Sequence, residues 1–313
     1  MISAKSLRID YEDLTAVWDL DLEVQPGEIF GLVGPNGAGK TSTIKALAGL
    51  LEPTYGDIRI GGLDMALEPE KCWKQLGYMP DFPPAYKNLK VGEYLEVFAA
   101  AHLIPRGRRV ERAMNWVERL HIEAKWDTFV RDLSRGIRQR LVLAKTLLPE
   151  PKCLLLDEPA SGMDPIARVD LRNILKEVAA RGVAVLVSSH ILTELSDICT
   201  AIGVMEKGRM IVQGSVEEIR ERIGAKARLR LRLSGDRQAI PEELQRIIGR
   251  SNVTGELRAV AAGEFEAAFA GTDQDAAALI AEIVAAGLPL ADFHVEKENI
   301  EDIFMRIGAR EVS

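Results

Sequence analysis

The sequence has few of the residues that build metal sites and disulfide frameworks. It carries three cysteines and four histidines among 313 residues. Cys72, Cys153 and Cys199 are widely spaced and odd in number, which favours reduced thiols over a disulfide or a cysteine-ligated metal. No apolar run approaches the roughly 18 residues that a membrane-spanning helix needs. The first residues contain no apolar signal region, so we expect a cytoplasmic protein.

The chain also lacks an excess of positive charge. Lysine and arginine number 40 against 47 aspartates and glutamates, which gives a net charge of −7. Because nucleic-acid binding depends on clustered lysines and arginines, this balance argues against nucleic acid as a partner. Hydrophobic residues make up 47% of the chain, which indicates a folded globular protein long enough for two domains.

A glycine-rich stretch follows the apolar residues 29–33, which we interpret as a buried strand, and precedes a helix predicted at residues 42–50. Strand, glycine loop and helix form the context in which the pattern G-x-x-x-x-G-K-[ST] indicates a phosphate site. Glycines let backbone N–H groups turn toward an anion, and the helix N-terminus adds partial positive charge. An ordinary glycine-rich turn is the alternative, but eight matching positions disfavour it. The predicted nucleoside triphosphate site comprises Gly34, Pro35, Asn36, Gly37, Ala38, Gly39, Lys40, Thr41 and Ser42.

Two carboxylates, Asp157 and Glu158, end a second apolar run at residues 153–156. Beside a phosphate loop, the first can hold the shell of Mg²⁺ and the second can polarise an attacking water. Lys40 can reach the outer phosphates, and the Thr41 hydroxyl can bind Mg²⁺. The alternative is that the two acids are solvated side chains at the end of a strand. The phosphate loop in the same chain disfavours that interpretation. The pattern therefore predicts hydrolysis of the nucleotide.

The hydrophobic pattern predicts an α/β fold. Buried β-rich runs without polar alternation, at residues 153–156 and 183–187, are typical of a mostly parallel sheet covered by helices. Alternating strands before the phosphate loop indicate an antiparallel β subdomain. Helical spacing over about 86–149 indicates a helical subdomain inserted between strands of one sheet.

A second domain is expected at residues 225–313, after a first domain at residues 1–224. It opens on the alternating run 228–233, which has one apolar and one basic face. The order that follows is β-α-β-β-α-β, the order of a small ferredoxin-like α+β unit, with a final helix predicted at 300–307.

Residues 133–137 read Leu-Ser-Arg-Gly-Ile and lie roughly twenty residues before the Asp-Glu pair. They resemble the signature motif of ABC ATPases, usually Leu-Ser-Gly-Gly-Gln. Ser134 and Gly136 match, whereas Arg135 replaces the first glycine of the pair and Ile137 the glutamine. Taken alone, the stretch is typical of a helix N-terminus capped by Ser134. Together with the phosphate loop, it resembles the ABC ATPase family.

The resemblance implies roles for further residues. Asp164 resembles the aspartate of the D-loop, His190 the switch histidine, and Tyr11 the aromatic residue that stacks on adenine. Asp81 stands where the family often has a glutamine that ligates the metal. A carboxylate can accept a metal or a water, but its reach is shorter and it cannot donate. Asp81 is therefore either a metal ligand, with Thr41 and Asp157, or a turn residue that contacts the partner.

Each motif occurs once, so one chain supplies two incomplete halves of a site. The resemblance implies a head-to-tail dimer with ATP and Mg²⁺ between the phosphate loop of one chain and Ser134 of the other. The second chain is a copy or a homologue. It also implies an exporter ATPase subunit, peripheral on the inner face of the cell membrane, which contacts a separate integral membrane permease through residues 81–102. A soluble ABC ATPase acting on ribosomes or DNA is the alternative. A P-loop kinase leaves Ser134, Asp164 and His190 unexplained.

Overall fold

The computed structural model describes residues 1–81, 86–191, 195, 198–215, 218, 219, 227–234 and 240–296. The chain divides into two compact units, Met1–Ile219 and Arg220–Ser313. The predicted boundary after residue 224 and the predicted helix at residues 300–307 lie outside the described residues. Within the described part, no helix combines the length and apolar character that crossing a membrane requires.

A six-stranded sheet forms the centre of the first unit, in the order β10-β9-β3-β8-β7-β6. All neighbouring strands are parallel except the β9–β10 pair. Strands β3, β7 and β8 are buried along their whole length, because both faces of the sheet are covered. Their bounds are β3 Ile29–Val33, β6 Leu76–Met79, β7 Cys153–Leu156, β8 Ala184–Ser189, β9 Ala201–Glu206 and β10 Arg209–Ser215. The predicted mostly parallel sheet is confirmed.

A second, antiparallel sheet has the order β2-β1-β4-β5. Its inward side chains share one apolar cluster with the central sheet, including Leu7, Phe30 and Leu186. The strands are β1 Ile2–Tyr11, β2 Leu14–Val24, β4 Tyr55–Ile60 and β5 Leu63–Asp64. Three helices belong to this layered core: α1 Lys40–Leu47, α2 Pro69–Trp73 and α6 Pro165–Ala180. The predicted antiparallel β subdomain is confirmed.

The helical subdomain lies in the chain between β6 and β7, which are neighbours in the sheet. It consists of α3 Val91–Ala101, α4 Arg106–Arg119 and α5 Arg135–Leu147, with two short 3₁₀ turns. Its apolar core includes the buried side chains of Tyr94, Trp116 and Leu141. The inserted helical subdomain is therefore also confirmed.

The second unit has a four-stranded antiparallel sheet in the order β12-β13-β11-β14. Its elements are β11 Ala227–Leu233, α7 Glu242–Arg250, β12 Arg258–Ala261, β13 Glu264–Phe269, α8 Asp273–Ala285 and β14 Leu290–Glu296. Leu229, Leu231 and Leu233 are buried, while the arginines that alternate with them are exposed. This β-α-β-β-α-β unit confirms the predicted ferredoxin-like fold.

Candidate functional site

The loop between β3 and α1 is held by close backbone packing. Gly37 and Gly39 have φ angles of 83° and 102°, in the left-handed region that favours glycine. A Cβ atom on Gly34 would lie 2.2 Å from the carbonyl oxygen of Met205, and one on Gly39 would lie 2.5 Å from that of Ala16. The loop therefore needs glycine at positions 34 and 39, because it packs against the backbone of β9 and β2 there.

Lys40 points its ammonium into this loop. Its side chain is only 6% exposed, and Nζ donates hydrogen bonds to the carbonyl oxygens of Gly34 (2.6 Å) and Pro35 (3.2 Å). Burial lowers the pKa of Lys40, and the charges of Glu158 and Asp157 oppose that shift. The loop thus holds a buried ammonium at the start of a helix. Both the ammonium and the helix N-terminus favour the binding of an anion.

Asp157 is buried directly after β7, and a serine of the neighbouring strand holds it. The Ser188 hydroxyl donates to Asp157 Oδ1 at 2.7 Å and accepts the backbone N–H of Glu158 at 2.9 Å. Ser188 is fully buried in β8. Sequence reasoning missed Ser188; the available signal was a pair of serines closing an apolar strand just before His190.

We expect Ser188→Ala to destabilise the protein by about 1–3 kcal/mol, because the substitution leaves a buried carboxylate oxygen without its donor. Chemical denaturation of the nucleotide-free protein measures the change. Ser189→Ala is the matched control at the same strand end: its hydroxyl accepts the backbone N–H of Ile191, and its loss leaves Asp157 bonded. Equal losses in the two variants would contradict the role given to Ser188.

Glu158 lies between His190 and Lys40. Its Oε2 is 2.8 Å from Nδ1 of His190, and its Oε1 is 3.7 Å from Nζ of Lys40. The Glu158 backbone has a φ of 49°, a left-handed conformation that is uncommon for residues other than glycine. The Glu158 side chain is 13% exposed and the His190 side chain is 46% exposed, so the pair faces solvent from the histidine side.

Asp81 follows β6, the strand next to β7. Its Oδ1 is buried and makes no hydrogen bond with the described residues. Burial and then the charges of Asp157 and Glu158 raise the pKa of Asp81, while Arg135 and His190 lower it. The structure therefore places Asp81 among the acids of the candidate site, with one oxygen still able to accept a ligand.

We expect Asp81→Asn to raise the melting temperature of the nucleotide-free protein at pH 7, and to raise it less at pH 4. A carboxyl whose pKa is raised by folding contributes stability below its unfolded pKa, and that contribution is lost as the pH rises through the folded pKa. Asparagine does not titrate, so the variant loses no stability in this way. Thermal unfolding at both pH values, in buffer without divalent cations, measures the difference in melting temperature between the variant and the wild type. A difference that does not change with pH would contradict the prediction.

One cleft of about 580 Å³ collects many of the predicted residues. The hydroxyl of Tyr11 lies 3.2 Å from that of Ser42 at its margin. Residues that the sequence analysis did not place in the site also contribute: Leu14, Thr15 and Ala16 of β2, and Ser161, Lys207 and Gly208. The predicted residues that line it are Tyr11, Asn36, Gly37, Ala38, Gly39, Lys40, Thr41, Ser42, Asp81, Glu158 and His190. Its volume is within the range of small-molecule sites.

The signature residues belong to other elements and do not line this cleft. Ser134 caps α5 by accepting the backbone N–H of Ile137 at 3.3 Å. A Cβ atom on Gly136 would lie 3.1 Å from the carbonyl oxygen of Gly162, so this position contacts the loop after β7. Asp164 caps α6 through the N–H of Ala167 at 2.9 Å, and this hydrogen bond lowers its pKa.

The donor groups of the cleft fit Mg²⁺ shared with a nucleotide. Among the described residues, no group of three or more His, Cys, Asp or Glu side chains could hold a metal by itself. The Thr41 hydroxyl and the Asp81 carboxylate line the cleft, and Asp157 directly precedes Glu158, which also lines it. Mg²⁺ commonly takes one or two carboxylates together with phosphates of the substrate. The protein would therefore supply part of the coordination shell.

A phosphate loop after a parallel strand, acids at the neighbouring strand end and a helical insertion define a P-loop ATPase cassette. Residues 17–161 match the family model described as ABC transporter. The chain belongs to the family of ABC transporter ATP-binding proteins, and it is an ATP-binding, ATP-hydrolysing enzyme.

Two curated relatives and one solved structure illustrate the match. The chain is 35% identical over 219 residues to the Nod factor export ATP-binding protein I of Cupriavidus metallidurans, covering 70% of this chain and 72% of the relative. It is 31% identical over 313 residues to the protein of the same name from Paraburkholderia xenovorans, covering 99% of this chain and 98% of the relative. A structure described as the ATP binding subunit of an ABC transporter superposes with a TM-score of 0.68 at 31% identity, covering 72% of this chain and 93% of that one.

Proposed function

We propose that this chain is the ATPase subunit of an exporter and that two chains close around ATP to drive a separate membrane permease. The distribution of the predicted nucleotide residues carries this proposal. Residues 36–42 of the phosphate loop gather in one cleft, whereas Ser134, Gly136 and Asp164 do not line it. A second chain that presents Ser134 to this cleft would complete the site. The names of the two curated relatives support export.

In this proposal Glu158 is the general base. Its carboxylate takes the proton of the attacking water, and His190 at 2.8 Å holds it in position. Lys40 exchanges its bonds to loop carbonyls for bonds to the outer phosphates, which offsets negative charge in the transition state. Tyr11 stacks on the adenine. When bound, Mg²⁺ would be held by Thr41, Asp157 and Asp81, and it would supply positive charge that offsets the charge of the phosphates.

The permease contact is proposed for residues 81–102, of which 82–85 lie outside the described part. Tyr86 is 60% exposed and its ring lies 6.2 Å from that of Phe98, centroid to centroid. Tyr94 is buried and belongs to the core. An exposed aromatic residue packed near a second aromatic ring is the kind of surface that protein interfaces use. We propose a location on the inner face of the cell membrane.

Co-purification tests the partner. A tagged Glu158→Gln chain, solubilised gently from membranes of its host in the presence of ATP, is expected to carry one integral membrane protein in fixed ratio. The same chain with Lys40→Ala is the matched control, because it cannot be held in the ATP-bound form. Recovery of ribosomes or DNA with both variants would overturn the exporter proposal and favour a soluble ABC ATPase.

A further inference from the structure

A second cavity, of about 350 Å³, lies at the opposite end of the central strands from the nucleotide cleft. Its lining includes Lys152 and Val183, which directly precede β7 and β8, whereas Glu158 lines the nucleotide cleft after β7. Its other walls come from α4, α5 and α6, so residues of the helical subdomain and of the layered core meet here. The volume is within the range of small-molecule sites, and the proposed ATPase mechanism uses none of the lining residues.

The floor of this cavity is apolar and well packed. Trp116 of α4, Leu147 of α5 and Val178 of α6 line it, and these residues are 4%, 2% and 5% exposed. The guanidinium of Arg119 lies over the Trp116 ring, with Cζ 4.6 Å from the ring centroid, and this contact stabilises the position of the indole. An apolar group that enters the cavity is therefore removed from water against side chains of three helices.

The carboxylates of Glu150 and Glu177, at the exposed rim of the cavity, already have cationic partners. Glu150 lines the cavity and pairs with Arg112 at 3.5 Å. Glu177 pairs with two arginines, Arg119 and Arg181, of which Arg181 also lines the cavity. Two guanidinium groups thus share one carboxylate at this rim, which leaves an excess of positive charge.

Lys152 adds a further positive charge to the same cavity. It is exposed, and its ammonium makes no hydrogen bond or ion pair with any residue that the structure describes. Since arginines already hold the acids of the rim, an anion from solution is the partner that this lysine lacks. A lysine beside an apolar cavity favours a ligand with a carboxylate on an apolar body, because each part of the ligand then meets a complementary group.

We propose that this cavity binds a small apolar monocarboxylate, whose carboxylate pairs with Lys152 and whose apolar body packs on Trp116 and Leu147. The site is separate from the nucleotide cleft, so the carboxylate and ATP bind to the same chain together. Because its walls belong to α4, α5 and α6, the bound ligand stabilises the contact between the helical subdomain and α6.

Isothermal titration calorimetry of the full chain with 1-naphthoate at pH 7 tests this site, because the probe combines a flat apolar body with one carboxylate. We expect one molecule to bind per chain with a dissociation constant below about 1 mM. The uncharged 1-naphthamide has nearly the same shape, and it is expected to bind about three- to tenfold more weakly. Lys152→Gln is expected to weaken 1-naphthoate binding by a similar factor and to leave the affinity for 1-naphthamide unchanged.

Lys176→Gln is the matched control, because Lys176 is also an exposed lysine, on α6, but does not line the cavity. Its affinity for 1-naphthoate should stay within about twofold of wild type. Equal affinities of the wild type for 1-naphthoate and 1-naphthamide would overturn the proposal. The same affinity for 1-naphthoate in the Lys152→Gln and Lys176→Gln variants would also overturn it.

A titration with saturating ATP, in buffer without divalent cations, distinguishes this cavity from the nucleotide cleft. The affinity for 1-naphthoate is expected to change less than about twofold, because the two ligands occupy opposite ends of the central strands. Displacement of 1-naphthoate by ATP would place the probe in the nucleotide cleft and overturn the proposal. Lack of saturable binding up to about 2 mM 1-naphthoate would overturn it as well.

Discussion

Replacing Glu158 with glutamine is expected to lower the turnover number for ATP by about 10²- to 10⁴-fold while ATP affinity changes less than about twofold. Glutamine has nearly the shape of glutamate and can still bond to His190, so the cleft keeps its form. It cannot accept the proton of the attacking water. Steady-state phosphate release measures turnover, and equilibrium nucleotide binding measures affinity.

Glu206→Gln provides the control for Glu158→Gln. Glu206 also lies at the carboxyl end of a strand of the central sheet, β9, and its carboxylate pairs with Lys207. Its replacement removes one acid from the same edge of the sheet without touching the proposed base, so kcat should stay within about twofold of wild type. Near-normal turnover in Glu158→Gln would show that another group takes the proton.

Replacing Lys40 with alanine is expected to weaken ATP binding by about 10- to 100-fold, the effect of losing charge-assisted bonds to phosphate. Lys40 has the one cationic side chain among residues 34–42, and its ammonium donates to the carbonyl oxygens of Gly34 and Pro35. Titration with ATP measures the dissociation constant directly.

Lys40→Arg keeps the charge but adds bulk inside a loop that packs closely around the side chain, so it should recover only part of the affinity. Lys40→Ala and Glu158→Gln are thus expected to differ in kind, one losing binding and the other losing turnover. Wild-type affinity in Lys40→Ala would mean that the phosphates do not lie in this loop.

Short-range patterns in the sequence predicted those parts of the fold that depend on residues close together in the chain. The buried run of β7, Cys153–Leu156, has no polar alternation, and the alternating run of β11, Ala227–Leu233, has an apolar side that is buried as expected. The helix after the phosphate loop begins at Lys40, two residues earlier than predicted, because Gly39 allows the turn immediately before it. These features depend on spacing and glycine position, which a sequence displays.

Features that depend on distant partners were missed. Strands β9, Ala201–Glu206, and β10, Arg209–Ser215, were not predicted, since their glycines interrupt the apolar pattern and β9 pairs with β3, which is far along the chain. The same reason applies to Ser188, whose role depends on β7 lying beside β8. The catalytic, nucleotide and metal roles remain predictions, although the structure brings Lys40 and Glu158 to within 3.7 Å.

We propose that one chain holds half of a site, and mixing two inactive variants tests this most directly. Lys40→Ala disables the phosphate loop, and Ser134→Glu places a negative charge where the partner's phosphates would lie. In a mixed head-to-tail dimer, one site carries both defects and the other carries none. An equal mixture is therefore expected to hydrolyse ATP at about a quarter of the wild-type rate, although each variant alone is inactive. A mixture no more active than the two variants measured separately would contradict the account.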